Sequence, residues 1–388
     1  MIGARTMVIV LGLVLTSTNA LASGNAHKHN AHGHSLTQPL KEAVDPKVAE
    51  YIPNISTALG VGFGATFGAK QLITDGSMGP NGFKLLFAGL EIEGEVDRFF
   101  RYLFLFNFAG LEIEEAYIAT TALPIGMQIR TGYMFVPFGR QNPRHIHNWN
   151  FINQTLTQTR FMGEGKFAAL GAELLFDLPL PWEMQISGQI LDAHEATHFH
   201  SSSFATVEQT NAGKFDGMED FVYTARILNG FDFGKDFELL WGLSGAWGQS
   251  PYKGGGRSDL YGTELRLNWI PTPKKVAVGM TVEYLIRKMD VPEGTLLDHG
   301  GYIELDALVH PEWMLGFRAD YTDVISGVMP ESEQLWGREW RAGVSTTFVP
   351  TVFSKLRLQY EIRHRGSLSH AVFLQLEVGA GEDVSYQF

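Results

Sequence analysis

Strict two-residue alternation, repeated in segment after segment, limits what this chain can fold into. In Met127-Gln128-Ile129-Arg130-Thr131-Gly132-Tyr133-Met134-Phe135, residues Met127, Ile129, Tyr133 and Phe135 fall on one face, and Gln128 and Arg130 on the other. That is the pattern of a strand with two unlike faces. Phe237, Leu239, Trp241, Leu243 and Trp247 alternate with Glu238, Ser244 and Ala246, and Trp313, Leu315, Phe317 and Tyr321 with Arg318 and Asp320. A closed barrel in a membrane suits both faces at once, because apolar residues meet lipid while charged ones line a watery lumen.

Sixteen candidate strands follow from this alternation, the first at 59–69 and the last at 369–380. Connections after even-numbered strands are tight and rich in turn formers, such as Leu123-Pro124 and Pro271-Thr272-Pro273. Those after most odd-numbered strands are long: 70–82, 137–166, 193–218, 248–258, 288–298 and 323–337. Two odd connections, near Gly110 and at Arg365 to Leu368, are short. Tight turns at one end and long loops at the other are expected of an outer-membrane barrel whose turns are periplasmic. A soluble sandwich has no reason to keep that parity.

The ends of the chain fit the same setting. Arg5, the apolar run Met7 to Leu15 and Ala20-Leu21-Ala22 read as a secretory signal over residues 1–22. Residues 23–57 form a His-rich periplasmic tail, and 58–388 the barrel. Beyond the signal no run approaches the roughly 18 apolar residues of a spanning helix. The chain has 0 Cys, so disulfides and thiolate chemistry are excluded, and its net charge of −12 argues against a nucleic-acid partner.

The segment after Met127–Phe135 is the longest polar connection. It leaves the strand at Val136-Pro137-Phe138-Gly139 and runs to Lys166. Its length is well beyond a usual connection, which marks it as functional. Glu114-Glu115-Ala116-Tyr117, then Pro137-Phe138-Gly139-Arg140-Gln141-Asn142, and then His145-x-His147-x-Trp149-x-Phe151 resemble the porin-like proteins grouped around the phosphate-selective porins O and P. The resemblance covers about residues 85 to 190. It implies a sixteen-stranded barrel, a homotrimer, and a third outer loop that enters the lumen. Phosphate-selective members line the pore with basic residues, and no such ladder shows in this sequence.

Candidate sites follow from these placements. Arg140, Arg144, His145, His147, Asn148 and Trp149 belong to the constriction loop, with Arg140 expected to pair with a wall carboxylate such as Glu115. Alternatively, Arg140 and Arg144 with Asn148 and Asn150 make the loop a gate for small anions or sugars. Glu91, Glu93 and Glu95 make an acidic stripe on one lumen face, with Arg130 also inward. Histidines cluster in the tail (His27, His29, His32, His34), in the loop, and beyond it at His194, His198 and His200. Neutral imidazole is a common zinc ligand, so divalent-metal binding or uptake is one expectation. His194-Glu195-Ala196-Thr197-His198 spells HExxH, but it follows a strand into a Ser-rich stretch, without the helix that gives the spacing its meaning. No enzymatic activity is expected. The expected protein is an outer-membrane porin for passive passage of small solutes or metal ions, in contact with lipid. The alternatives are an anion- or phosphate-selective porin and a plugged fatty-acid-type transport barrel.

Overall fold

The structure is a computed structural model. It describes residues 54–67, 81–163, 165–194, 199–205, 218–252, 256–271, 276–329 and 337–381. Its strands are β1 (Asn54–Phe67), β2 (Asn81–Glu95), β3 (Phe100–Asn107), β4 (Glu112–Thr120), β5 (Met127–Phe135), β6 (Ala168–Pro179), β7 (Glu183–Asp192), β8 (Phe199–His200), β9 (Val222–Phe233) and β10 (Phe237–Gln249). There follow β11 (Arg257–Trp269), β12 (Ala277–Val291), β13 (Gly294–His310), β14 (Trp313–Gly327), β15 (Glu339–Thr351), β16 (Ser354–Arg365) and β17 (Ser367–Ala380). Each pairs antiparallel with its neighbours, and β1 pairs with β17 from Thr57↔Ala380 to Phe67↔His370, which closes the ring. The two-residue β8 only adds to β6 at Ala168 and Ala169, while β7 pairs directly with β9. The wall is therefore a closed antiparallel barrel of sixteen strands, with no open edge to leave backbone groups unpaired in lipid.

Burial shows that the barrel is apolar outside and polar within. On β12 the buried face carries Thr281, Glu283 and Arg287, while Val278 and Tyr284 are exposed. Leu243, Leu315, Phe317, Leu358, Leu374 and Leu376 are likewise exposed on the outer surface. The first wall strand starts at Asn54, so residues 54–57, assigned to the tail from sequence, belong to the wall.

One expected loop is absent. The connection predicted at 288–298 is a two-residue turn, Pro292-Glu293, between β12 and β13. Alternation continues through its polar residues, with Arg287, Met289, Val291, Leu296 and Asp298 all on the buried face. Proline fixes φ at the turn, and Gly294 takes the positive φ of 150° that closes it.

A register shift in β4 shapes the lumen. Leu105 pairs with Glu115 and Phe106 with Ile113, so Glu114 is an extra residue. Such a bulge turns consecutive side chains to the same side. Here Glu114 and Glu115 both reach one loop histidine.

Candidate functional site in the barrel lumen

Residues 136–167 fold into the barrel. Proline at 137 has no N–H for a ladder and ends β5. Gly139, at φ 64°, donates its N–H to Ser244 Oγ at 3.2 Å, and the carboxylate of Glu283 occupies the space a Cβ would need. Asn142 ties the loop's two ends together. Its amide donates to Val136 O (2.7 Å) and Phe167 O (2.9 Å), and its Oδ1 accepts from Phe167 N (2.8 Å) and Gln158 Nε2 (2.7 Å). The returning limb contains the short helix α1 (Leu156–Met162), capped by Thr155 Oγ1, which accepts from Gln158 N at 3.0 Å. Phe138, Phe161, Met162 and Phe167 pack with Leu260 and Leu285, and Ile152 packs against Phe87, Ala371 and Phe373.

Wall side chains strap this loop by its backbone. Lys355 Nζ donates to His147 O (2.5 Å), Arg357 to Trp149 O (2.8 Å), Arg318 to Asn153 O (2.9 Å) and Arg341 to Gln154 O. Wall acceptors take the loop's donors. Asn150 donates to Glu304 (2.9 Å), Ile152 N to Gln359 (2.7 Å), Asn153 to Glu361 (2.8 Å), Leu156 N to Asp320 (3.1 Å) and Arg160 to Asp298 (2.8 Å). On another side, His145 lies 3.4 Å from Glu114 and 3.0 Å from Glu115. β4 is the fourth wall strand and β13, which carries Glu304, the twelfth, so the two face each other across a ring of sixteen. The loop thus spans the lumen.

The lumen charges are mostly paired. Arg226 is bound to Glu264 (3.0 Å), Arg266 to Asp306 (2.9 Å), Arg287 to Asp298 (2.8 Å), and Arg318 and Arg341 both to Asp320 (3.1 Å each). Arg140 and Arg144 differ, for neither forms an ion pair among the described residues. Arg144 donates to Asn148 O, and Arg140 Nε has no hydrogen-bond partner. Both are partly exposed within the barrel. Burial, together with the nearby Arg144 and Arg266 guanidinium groups, lowers Arg140 to about 10 despite Glu264. Burial lowers Arg144 as well. The expected Arg140–Glu115 pair is not formed, because His145 occupies Glu115 and Arg140 lies on the Glu264–Glu283 side.

Two other loop cations sit by Glu114 and Glu115. Burial alone would lower His145, but its hydrogen bonds to these two carboxylates raise it to about 9. Lys166 is pushed down to about 8 by burial, which outweighs the same carboxylates, and its Nζ lies 3.8 Å above the Phe135 ring. Lys166 and the strap Lys355 carry no signal in the sequence.

The remaining candidates are spread out. Glu91 lines a cavity of about 20 Å³ with Ser56, Glu114 and His147, so the acidic stripe and a loop histidine meet there. That volume holds roughly one water. Glu93 accepts from Asn54 (3.1 Å), Glu95 is exposed, and Arg130 pairs with Glu173 (2.8 Å). Trp149 is buried and donates to Arg144 O (3.0 Å), while Asn148 accepts from Arg144. His194 is held by Asp192 at 2.7 Å. His27, His29, His32, His34 and His198 lie outside the described residues, and of His200 only the backbone pairing with Ala168 is described. Among the described residues no group of three His, Cys, Asp or Glu is placed to hold a metal. Of the HExxH segment, which follows β7 (ending at Asp192), Glu195 to His198 lie outside the described residues.

Comparisons agree with this architecture. No family model matches the chain. An uncharacterized protein of Aquifex aeolicus (strain VF5) is 26% identical over 339 residues, covering 79% of this chain and 70% of that one. The outer membrane channel DcaP of Acinetobacter baumannii superposes with a TM-score of 0.56 at 12% identity, over 84% of this chain and 97% of that one. OmpT, an outer membrane protein of Vibrio cholerae, in its trimer form, gives 0.51 at 10% identity, over 85% and 99%. The fold is that of a porin-like channel, and these likenesses do not single out the phosphate-selective porins.

Proposed function

We propose that this protein is an outer-membrane channel through which small hydrophilic solutes pass passively, narrowed by residues 137–167, with small anions favoured beside Arg140 and Arg144. One observation carries the anion preference: Arg140 faces the lumen without a carboxylate partner, while Arg226, Arg266, Arg287, Arg318 and Arg341 each have one. A guanidinium with free donors suits a carboxylate or phosphate in transit. The outward apolar surface and the secretory signal favour the outer membrane.

A homotrimer fits the low side of the wall. β3, β4 and β5 have 8, 9 and 9 residues. At about 3.3 Å rise and roughly 45° tilt they cover about 20 Å, less than the apolar band of about 25 Å. A second copy against Tyr102, Phe104 and Ile118 would shield that sector.

The test is the reversal potential across a planar bilayer under a KCl gradient. Wild type is expected to prefer chloride, and R140A/R144A to lose most of that preference. A cation-selective wild type, or a variant with unchanged reversal potential, contradicts the anion assignment.

A further inference from the structure

The lumen carries opposite charges at two levels. Glu183 stands opposite Gly230, and Glu238 opposite Asp232, so these three carboxylates share the inward face that carries Arg226 and Ser244, at the short-turn end of β7, β9 and β10. Asp177, opposite Gln185, brings a fourth from β6. Asp177, Glu183 and Asp232 line a cavity of about 480 Å³, and the charges of Asp232, Glu238 and Asp177 all bear on Glu183. Among the described residues none of the four forms an ion pair. Asp177 accepts from Gln185 (2.9 Å) and Glu238 from Asn268 (2.8 Å), both neutral donors. Further round the mouth Glu93 and Glu95 continue the acidic lining, with Arg101 opposite Glu95. The other cations at this end are balanced: Lys355 is held by Glu377 at 3.2 Å, and the turn residues Arg98 and Lys235 each have an aspartate, Asp97 and Asp236, next to them in the chain. Lys274 and Lys275 lie outside the described residues.

Arg140 and Arg144 stand deeper. Gly139, next to Arg140, is bonded to Ser244, six residues along β10 from Glu238, which is about 20 Å of strand. At roughly 45° tilt this is about 14 Å along the pore, more than the Debye length of about 10 Å at 0.1 M salt. Each zone therefore gathers its own counterion, chloride at the arginines and potassium at the carboxylates. We propose that Asp177, Glu183, Asp232 and Glu238 form an acidic collar that makes the channel rectify, passing more current when its short-turn side is positive. That polarity draws chloride in past the arginines and potassium in past the collar, so both carriers accumulate between the two zones. The opposite polarity empties the same stretch of both. The collar acts through fixed charge and holds no bound ligand. The inference rests on the channel reading above, with Arg140 and Arg144 as the positive zone.

The test is the current–voltage curve of the full-length protein in a planar bilayer with equal KCl on both sides. Because the chain has 0 Cys, K235C labelled from one side with a membrane-impermeant thiol reagent reports the orientation of the inserted channels. In 0.1 M KCl wild type is expected to carry roughly twofold more current with the short-turn side positive, and nearly symmetric currents in 1 M KCl, where the Debye length falls to about 3 Å. D177N/E183Q/D232N/E238Q, which keeps size and polarity, should be symmetric at both concentrations. Symmetric wild-type currents in 0.1 M KCl, a larger current at the opposite polarity, or rectification that persists in 1 M KCl or in the quadruple variant each overturn the proposal. The reversal potential keeps the two readings apart. A chloride-preferring wild type with symmetric currents rejects the collar alone, and a wild type that forms no channels rejects the channel function.

Discussion

His145 Nε2 stands 3.0 Å from Glu115 while its Nδ1 stands 3.4 Å from Glu114, so one imidazole bridges two successive carboxylates on β4. Both contacts favour the imidazolium and raise His145 to about 9. A raised folded value contributes stability that is fully present below the unfolded value of about 6.5 and is lost as pH rises through about 9. The difference corresponds to on the order of 3 kcal/mol. H145Q should therefore lower the thermal midpoint of the folded barrel most at pH 6, and hardly at all above pH 10. A pH-independent difference would mean that His145 anchors the loop only by packing.

Asp320 is the most connected carboxylate of the strap. It binds Arg318 and Arg341 and accepts from Leu156 N. D320N removes the carboxylate shared by two buried guanidinium groups, leaving Arg341 with Glu361 at 3.9 Å, and breaking a buried pair costs about 3–5 kcal/mol. Denaturant unfolding in detergent micelles should show a clear drop in midpoint for D320N. D323N removes a pair with an exposed, solvent-screened arginine, and its midpoint should stay near that of wild type.

Gly139 tests the loop's exit. Its φ of 64° disfavours any side chain, and an added Cβ would meet Glu283 Oε1. G139A is expected to destabilise by about 1–3 kcal/mol and to loosen the entry of the loop, seen as noisier and larger single-channel currents. Currents identical to wild type would place the exit outside the constriction.

Much of the wall was legible because a lipid-facing strand with a watery inner face writes its period directly into the sequence. Long stretches such as β12 and β17 keep that alternation almost residue by residue, and the ring closes between β1 and β17. Polar residues misled at 288–298, where Arg287 and Asp298 face the lumen as strand residues and not as loop residues. The loop's partners were hidden for a different reason. Which wall side chain meets Trp149 O or Asn153 O depends on register and distance across the lumen, and neither leaves a local pattern. The bulge at Glu114 also breaks the period that would have placed it outward, so the His145 clamp could not be read from spacing.

The central claim is that residues 137–167 narrow the pore, and single-channel conductance tests it most directly. Residues 141–165 are to be replaced by a short Gly-Ser linker, with heat-modifiable gel migration as the check that the barrel still closes, and compared with a protein shortened in the 328–338 connection. Removal of the lumen-spanning loop is expected to raise conductance severalfold, while the other deletion leaves it near wild type. Equal conductance in the two variants would contradict the account.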